Sequence, residues 1–263
     1  MISEFWGITL LITTVWVAGG LVFLLEEHNG KRLIKNALAF SGGFLVSIAF
    51  LHFIPELYHD HGNTGMNMGI WIMVGFLVQL VLEYFSGGIE HGHTHSFKGN
   101  IPLALFISLS IHSIIEGIPM DLEFHGIVDH ACDSNGHLHD HGHHHHHNHL
   151  VNSNQPLLWG VILHNIPVSI ALTTLLLNNG WQKRKAFLVL VVFSLMTPVG
   201  IAIGHYNPTL FNETVAQVIL AVVVGMFLHI STTIIFESTE SHKFNLLKLL
   251  LNFSGAGLGY LFG

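Results

Sequence analysis

Charge is what this sequence has least of. Asp, Glu, Lys and Arg make up 10% of its 263 residues, whereas half are hydrophobic. A soluble domain carries about a quarter charged residues. So little charge cannot cover a water-facing surface, and a lipid bilayer is the solvent that the composition suits. Nine Lys and Arg against 16 Asp and Glu leave a formal net charge of −7, which excludes the basic footprint of a nucleic-acid-binding protein. A single cysteine, Cys132, excludes an intrachain disulfide. The opening Met1-Ile2-Ser3-Glu4 lacks the positive n-region of a cleavable signal peptide, so the first apolar stretch reads as a retained transmembrane helix. No His-Glu-x-x-His motif is present, and no set of His-x-x-His-His boxes lies at one cytoplasmic face. A membrane metalloenzyme would need such groups, so the chain is not read as an enzyme.

Histidine, by contrast, is abundant, with 23 copies. Nine fall at His137, His139, His141, His143, His144, His145, His146, His147 and His149. A purification tag has similar composition. This run lies inside the chain between two apolar segments and is interleaved with Asp140, Gly142 and Asn148, so it reads as a native metal-binding loop.

A spanning helix needs about 20 mostly apolar residues. Eight segments qualify, near 5–25, 36–57, 66–86, 101–120, 156–177, 186–204, 213–236 and 246–262. The expected fold is therefore an all-α integral membrane protein, a single transmembrane domain over 1–263 built as a bundle of eight helices. Every Lys and Arg then falls on one face: Lys31, Arg32 and Lys35 after the first segment, Lys98 after the third, Lys183, Arg184 and Lys185 after the fifth, and Lys243 and Lys248 after the seventh. The positive-inside rule makes that face cytoplasmic and puts both termini outside the cytoplasm. A miscounted segment would have scattered these charges onto both faces. The loop 121–155, with its histidines and Asp121, Glu123, Asp129, Asp133 and Asp140, also falls outside, and its polar composition predicts disorder. Imidazoles alternating with carboxylates capture metal at neutral pH and release it on protonation, which suits a concentrating antenna. No retention signal is visible, so a bacterial inner membrane or a plasma membrane is the default location.

Two segments are less hydrophobic than the rest. The fourth contains His112 and Glu116, four residues apart and so on one helix face. The fifth contains His164-Asn165-Ile166-Pro167. His112 and His164 each lie about eight residues from the outer ends of their segments, so at 1.5 Å per residue they sit at about one depth. Ionisable groups inside a bilayer are costly and usually face the bundle interior. They are either hydrogen-bonded core residues or metal ligands, and three at one level favour a metal. Two imidazoles and a carboxylate suit Zn²⁺, and the same set accommodates Fe²⁺, Co²⁺, Ni²⁺ and Cd²⁺. Pro167 frees a backbone carbonyl near Leu163 as a further ligand or a bend.

At the outer end of the second segment, His52 and Glu56 again share a face, with His59, Asp60 and His61 following. This is either a vestibule through which metal enters or an ordinary interfacial helix end. On the inner side lie Glu90, His91, His93 and His95, near Glu83, His229, Glu237, Glu240 and His242. That group reads as an exit relay, a metal-sensing loop or a solvated loop.

Taken together, these residues resemble the ZIP (Zrt-, Irt-like protein) family of divalent metal transporters. His112-Ser113-Ile114-Ile115-Glu116-Gly117 is similar to the family's fourth-span motif His-Asn-x-x-Glu/Asp-Gly, and His164-Asn165-Ile166-Pro167-Val168 to its fifth-span motif. Leu51-His52-Phe53-Ile54-Pro55-Glu56-Leu57 resembles the family's His-Leu-Leu-Pro-Glu-Ala, and Gly225-Met226-Phe227-Leu228 its Gly-Thr-Phe-Leu. The chain departs from the pattern at Ser113, Val168 and Thr197, where family members carry Asn, Glu and Glu. Its larger His-rich loop also follows the fourth segment rather than the third. The resemblance implies transport of a divalent metal, most readily zinc, toward the cytoplasm, by an elevator-like displacement and as a homodimer. Valine at 168, where the family carries a carboxylate, implies a mononuclear site of His112, Glu116 and His164, with Asn165 beside it. The rival reading is a transport-inactive metal sensor that binds without flux.

Overall fold

The computed structural model describes residues 2–23, 27–59, 67–86, 103–124, 156–207, 209–211, 213–237 and 246–262. Among them the only regular structure is helical. The His-rich run at 137–149, most of the loop 121–155, and Asp60, His61, Glu90, His91, His93, His95, Glu240 and His242 lie outside the described residues.

Among the described residues ten α-helices follow one another: α1 Ile2–Leu21, α2 Glu27–Ile48, α3 Ile54–His59, α4 Met68–Ser86, α5 Leu103–Phe124, α6 Pro156–Asn178, α7 Lys183–Ser194, α8 Met196–Tyr206, α9 Glu213–Glu237 and α10 Leu246–Phe262. Where the apolar segments read from the sequence fall within the described residues, they are mostly helical, as suits a solvent in which no water can satisfy an open backbone. Five helical stretches are long and apolar enough to cross a membrane: Ile34–Tyr58, Met68–Phe85, Pro156–Asn178, Lys183–Tyr206 and Thr214–Phe236. Three shorter apolar helices are Trp6–Leu21, Phe106–Met120 and Leu246–Leu261.

Proline explains two irregularities. Between α2 and α3 the chain makes a π turn over Ala49–Phe53, in which the Ile54 N–H donates to the Ala49 carbonyl. Pro55 follows at once and has no N–H to give, so the widened turn carries the helix past it. Pro198 accompanies the second, where the helix breaks at Leu195 between α7 and α8 in a tightened turn whose Leu195 N–H donates to the Val192 carbonyl.

Three helix pairs approach to backbone contact through reciprocal glycines. A Cβ on Gly75 (α4) would lie 2.0 Å from the Val222 carbonyl, and one on Gly225 (α9) would lie 1.9 Å from that of Ile72. Gly43 and Gly255 do the same for α2 and α10, and Gly117 and Gly200 for α5 and α8. Small residues at helix crossings are how membrane bundles gain packing without a hydrophobic drive between helices. α2 packs on α6, α9 and α10 at the centre of the bundle, where Phe44, Leu45, Ile48 and Phe227 are fully buried.

The distribution of polarity is inverted relative to a soluble protein. Gln79, Ser108, His112, Glu116, His164, Thr173 and Ser231 are buried, whereas Met73, Leu77, Leu80, Leu188, Leu250 and Phe253 face outward. An apolar exterior around a polar interior suits a lipid environment.

Candidate metal centre

α5 carries His112 and Glu116 one turn apart, and α6 brings His164 against them. The two imidazole rings lie 5.6 Å apart, centre to centre, at 69°. One donor atom from each of His112, Glu116 and His164 falls within 4.8 Å of the others. All three residues are buried, Glu116 and His164 at 0% exposure.

A neighbouring helix sets the state of His112. Its Nδ1 lies 2.8 Å from Oε1 of Gln79, a residue of α4 that is itself fully buried. An amide oxygen only accepts, so Nδ1 carries the proton and Nε2 presents its lone pair. That Nε2 lies 2.7 Å from Glu116 Oε1, yet neither carboxylate oxygen of Glu116 accepts a hydrogen bond. A lone pair facing a carboxylate at this distance is repulsive unless a cation or proton lies between them. A buried carboxylate also costs several kcal/mol unless it is compensated. The arrangement therefore calls for positive charge, and its nitrogen and oxygen donors suit a divalent metal.

Asn165 is buried next to His164, and Ser113, Val168 and Thr197 are buried as well. The Thr197 carbonyl abuts Gly117 at the contact between α5 and α8, one residue from Glu116. His52 and Glu56 are not brought into the cluster. His52 lies within the π turn with its ring against the backbone of Gly259 in α10, and Glu56 lies in the first turn of α3. Gln79 escaped the reading of the sequence. Its signal was a lone amide among apolar neighbours in a membrane-length segment, which by itself marks an interior polar contact.

Comparison with known proteins bears on the same residues. A family model described as ZIP zinc transporter matches residues 151–263, a stretch that includes His164. The zinc transporter ZIP1 of Plasmodium falciparum is 24% identical over 302 aligned positions, covering 86% of this chain and 77% of its own length. Over most of its length the chain is similar to ZIP zinc transporters. The zinc transporter zipt-7.1 of Caenorhabditis briggsae is 23% identical, with 86% of this chain and 67% of that protein aligned. A pig protein described as zinc transporter SLC39A7 is 32% identical over 95 residues, which is 28% of this chain and 20% of that one. These ZIP relatives are described as transporters rather than enzymes, which supports a non-enzymatic role here.

Proposed function

We propose that the protein transports a divalent metal ion, most readily Zn²⁺, across a membrane toward the cytoplasm, holding it midway between His112, Glu116 and His164. The observation that carries this reading is the convergence of those three buried groups, with the Gln79 contact turning the His112 Nε2 lone pair toward Glu116, where a metal would sit. Similarity to ZIP zinc transporters and the apolar helices support it. In this reading the five long helices and the three shorter apolar ones are eight spans of one transmembrane domain. Both termini and the 121–155 loop lie outside the cytoplasm, since that places every Lys and Arg inside. The His-rich loop gathers the ion, His52 and Glu56 pass it inward, and the central trio binds it beside Asn165. With Val in place of a carboxylate at 168, one metal ion occupies the centre at a time. The chain works in a bacterial inner membrane or plasma membrane as a homodimer.

The test is uptake of Zn²⁺ into sealed proteoliposomes. Wild-type protein should show saturable uptake that the His112→Ala/His164→Ala double variant loses. Undiminished uptake by that variant would overturn the site. Tight binding with no uptake by the wild type would instead identify a metal sensor.

A further inference from the structure

The turn that joins α6 to α7 is closed by hydrogen bonds. α6 ends at a left-handed glycine, Gly180, with φ at +77°. The Gly180 N–H donates to the Leu177 carbonyl at 2.9 Å and the Trp181 N–H to that of Leu176 at 3.1 Å, the pair of bonds with which a glycine ends a helix. Trp181 is folded back onto the core, partly buried, and α7 starts two residues later at Lys183.

Three consecutive cations, Lys183, Arg184 and Lys185, therefore stand exposed at a fixed place at the foot of α7. Lys183 is used within the fold: its Nζ donates to the Phe23 carbonyl beyond the end of α1, 3.5 Å away. Arg184 and Lys185 make no hydrogen bond or ion pair with any described residue. No Asp or Glu occurs between Asp140 and Glu213, so the flanking sequence offers them no carboxylate. Stability of α7 does not explain them, because the helix dipole disfavours cations in a first turn.

What lies beside them is apolar. Leu188 and Val192 follow Lys185 at spacings of three and seven residues and share its face of α7, and both are exposed. In a bilayer that face meets acyl chains, and the cations and Trp181 fall where the headgroups begin. The face carries positive charge at its end and an apolar strip along its length. That layout matches a phospholipid with a negative headgroup, whereas a free phosphate would use the cations alone.

We infer that the foot of α7 binds one anionic phospholipid, its phosphate held by Arg184 and Lys185 and its chains lying along Leu188 and Val192. The guanidinium fork pairs with two phosphate oxygens, and the ammonium adds a point charge. A choline headgroup would bring a repelling cation to the same place. This site is separate from the metal centre and does not depend on what the protein transports.

Native mass spectrometry of the full-length protein in detergent reads the site directly, with phosphatidylglycerol and phosphatidylcholine of the same acyl chains added in equal amounts. Wild type should retain one phosphatidylglycerol about tenfold or more tightly than phosphatidylcholine. Arg184→Gln/Lys185→Gln should lose that preference. Lys35→Gln/Lys248→Gln, which removes two charges from α2 and α10, should keep it. Leu188→Asn/Val192→Asn should weaken retention of phosphatidylglycerol, and an excess of inorganic phosphate should not displace it. All these side chains except that of Lys248 are exposed, and unchanged thermal unfolding in detergent would show that each variant is folded. Equal retention of the two lipids, a preference that survives loss of Arg184 and Lys185, or an equal loss in the Lys35→Gln/Lys248→Gln variant would overturn the site. Displacement by inorganic phosphate would overturn the lipid as its occupant.

Discussion

Replacing Gln79 by Leu isolates the least expected part of the central site. The side chains are close in volume, and position 79 is fully buried, so packing is largely preserved while one acceptor is removed. The Nδ1–H of His112, now 2.8 Å from Gln79 Oε1, would be left buried without it, at a cost of about 1–3 kcal/mol. His112 can escape that cost by moving its proton to Nε2, where Glu116 stands 2.7 Å away and accepts it. The empty site then satisfies itself, and metal must displace that proton to bind. Loss of a partner that orients a metal-binding histidine typically weakens metal affinity about 10–100-fold, or about 1.4–2.7 kcal/mol. Initial rates of radioactive zinc uptake into proteoliposomes, measured across zinc concentration, should show the half-saturation constant raised by that factor. Gln79→Glu, which keeps an acceptor oxygen, should return it to near the wild-type value. A half-saturation constant within twofold of wild type in well-folded Gln79→Leu would refute the argument that Gln79 sets the His112 tautomer.

Other outcomes follow from the same geometry. Glu116→Gln keeps the shape but removes the only carboxylate of the trio, and zinc uptake at low concentration should fall by more than the ~10–100-fold expected of Gln79→Leu. Gly117→Ala would place a Cβ 2.2 Å from the Thr197 carbonyl; thermal unfolding in detergent should show a loss of about 1–3 kcal/mol, as for other overpacked sites. Gly257→Ala meets nothing within 4 Å, and the same assay should show no loss and up to about 1 kcal/mol of gain from helix propensity. Replacing the histidines of 137–149 by Ser should raise the zinc concentration needed for half-maximal uptake but leave the maximal rate unchanged, because in the proposed function that loop gathers the ion and does not carry it.

Much of the architecture was legible because membrane helices are specified locally. Each one must satisfy its own backbone hydrogen bonds, so its limits follow from the length of an apolar run. The four-residue spacing of His112 and Glu116 likewise suffices to put both on one face of α5. That His164 joins them required a matching depth on a second helix. The sequence supplied the depth, but the contact between the rings is a property of how α5 and α6 pack. Glu83 and His229 were both visible as inner-side polar residues, yet nothing in a chain separation of that length indicates that they meet.

By itself, then, the sequence determined that this chain is made of apolar helices with a few ionisable groups among them, and which of those groups share a helix face. The tertiary structure alone decided the partners. Gln79 reads as an isolated amide until α4 lies against α5 and turns its oxygen to His112. Gly75 and Gly225 read as two small residues until the helices cross at backbone contact and bring His229 to Glu83. The reason is physical. Helix periodicity relates residues three or four apart, whereas the packing of helices, which ordinary sequence spacing does not encode, relates residues that are dozens or hundreds apart.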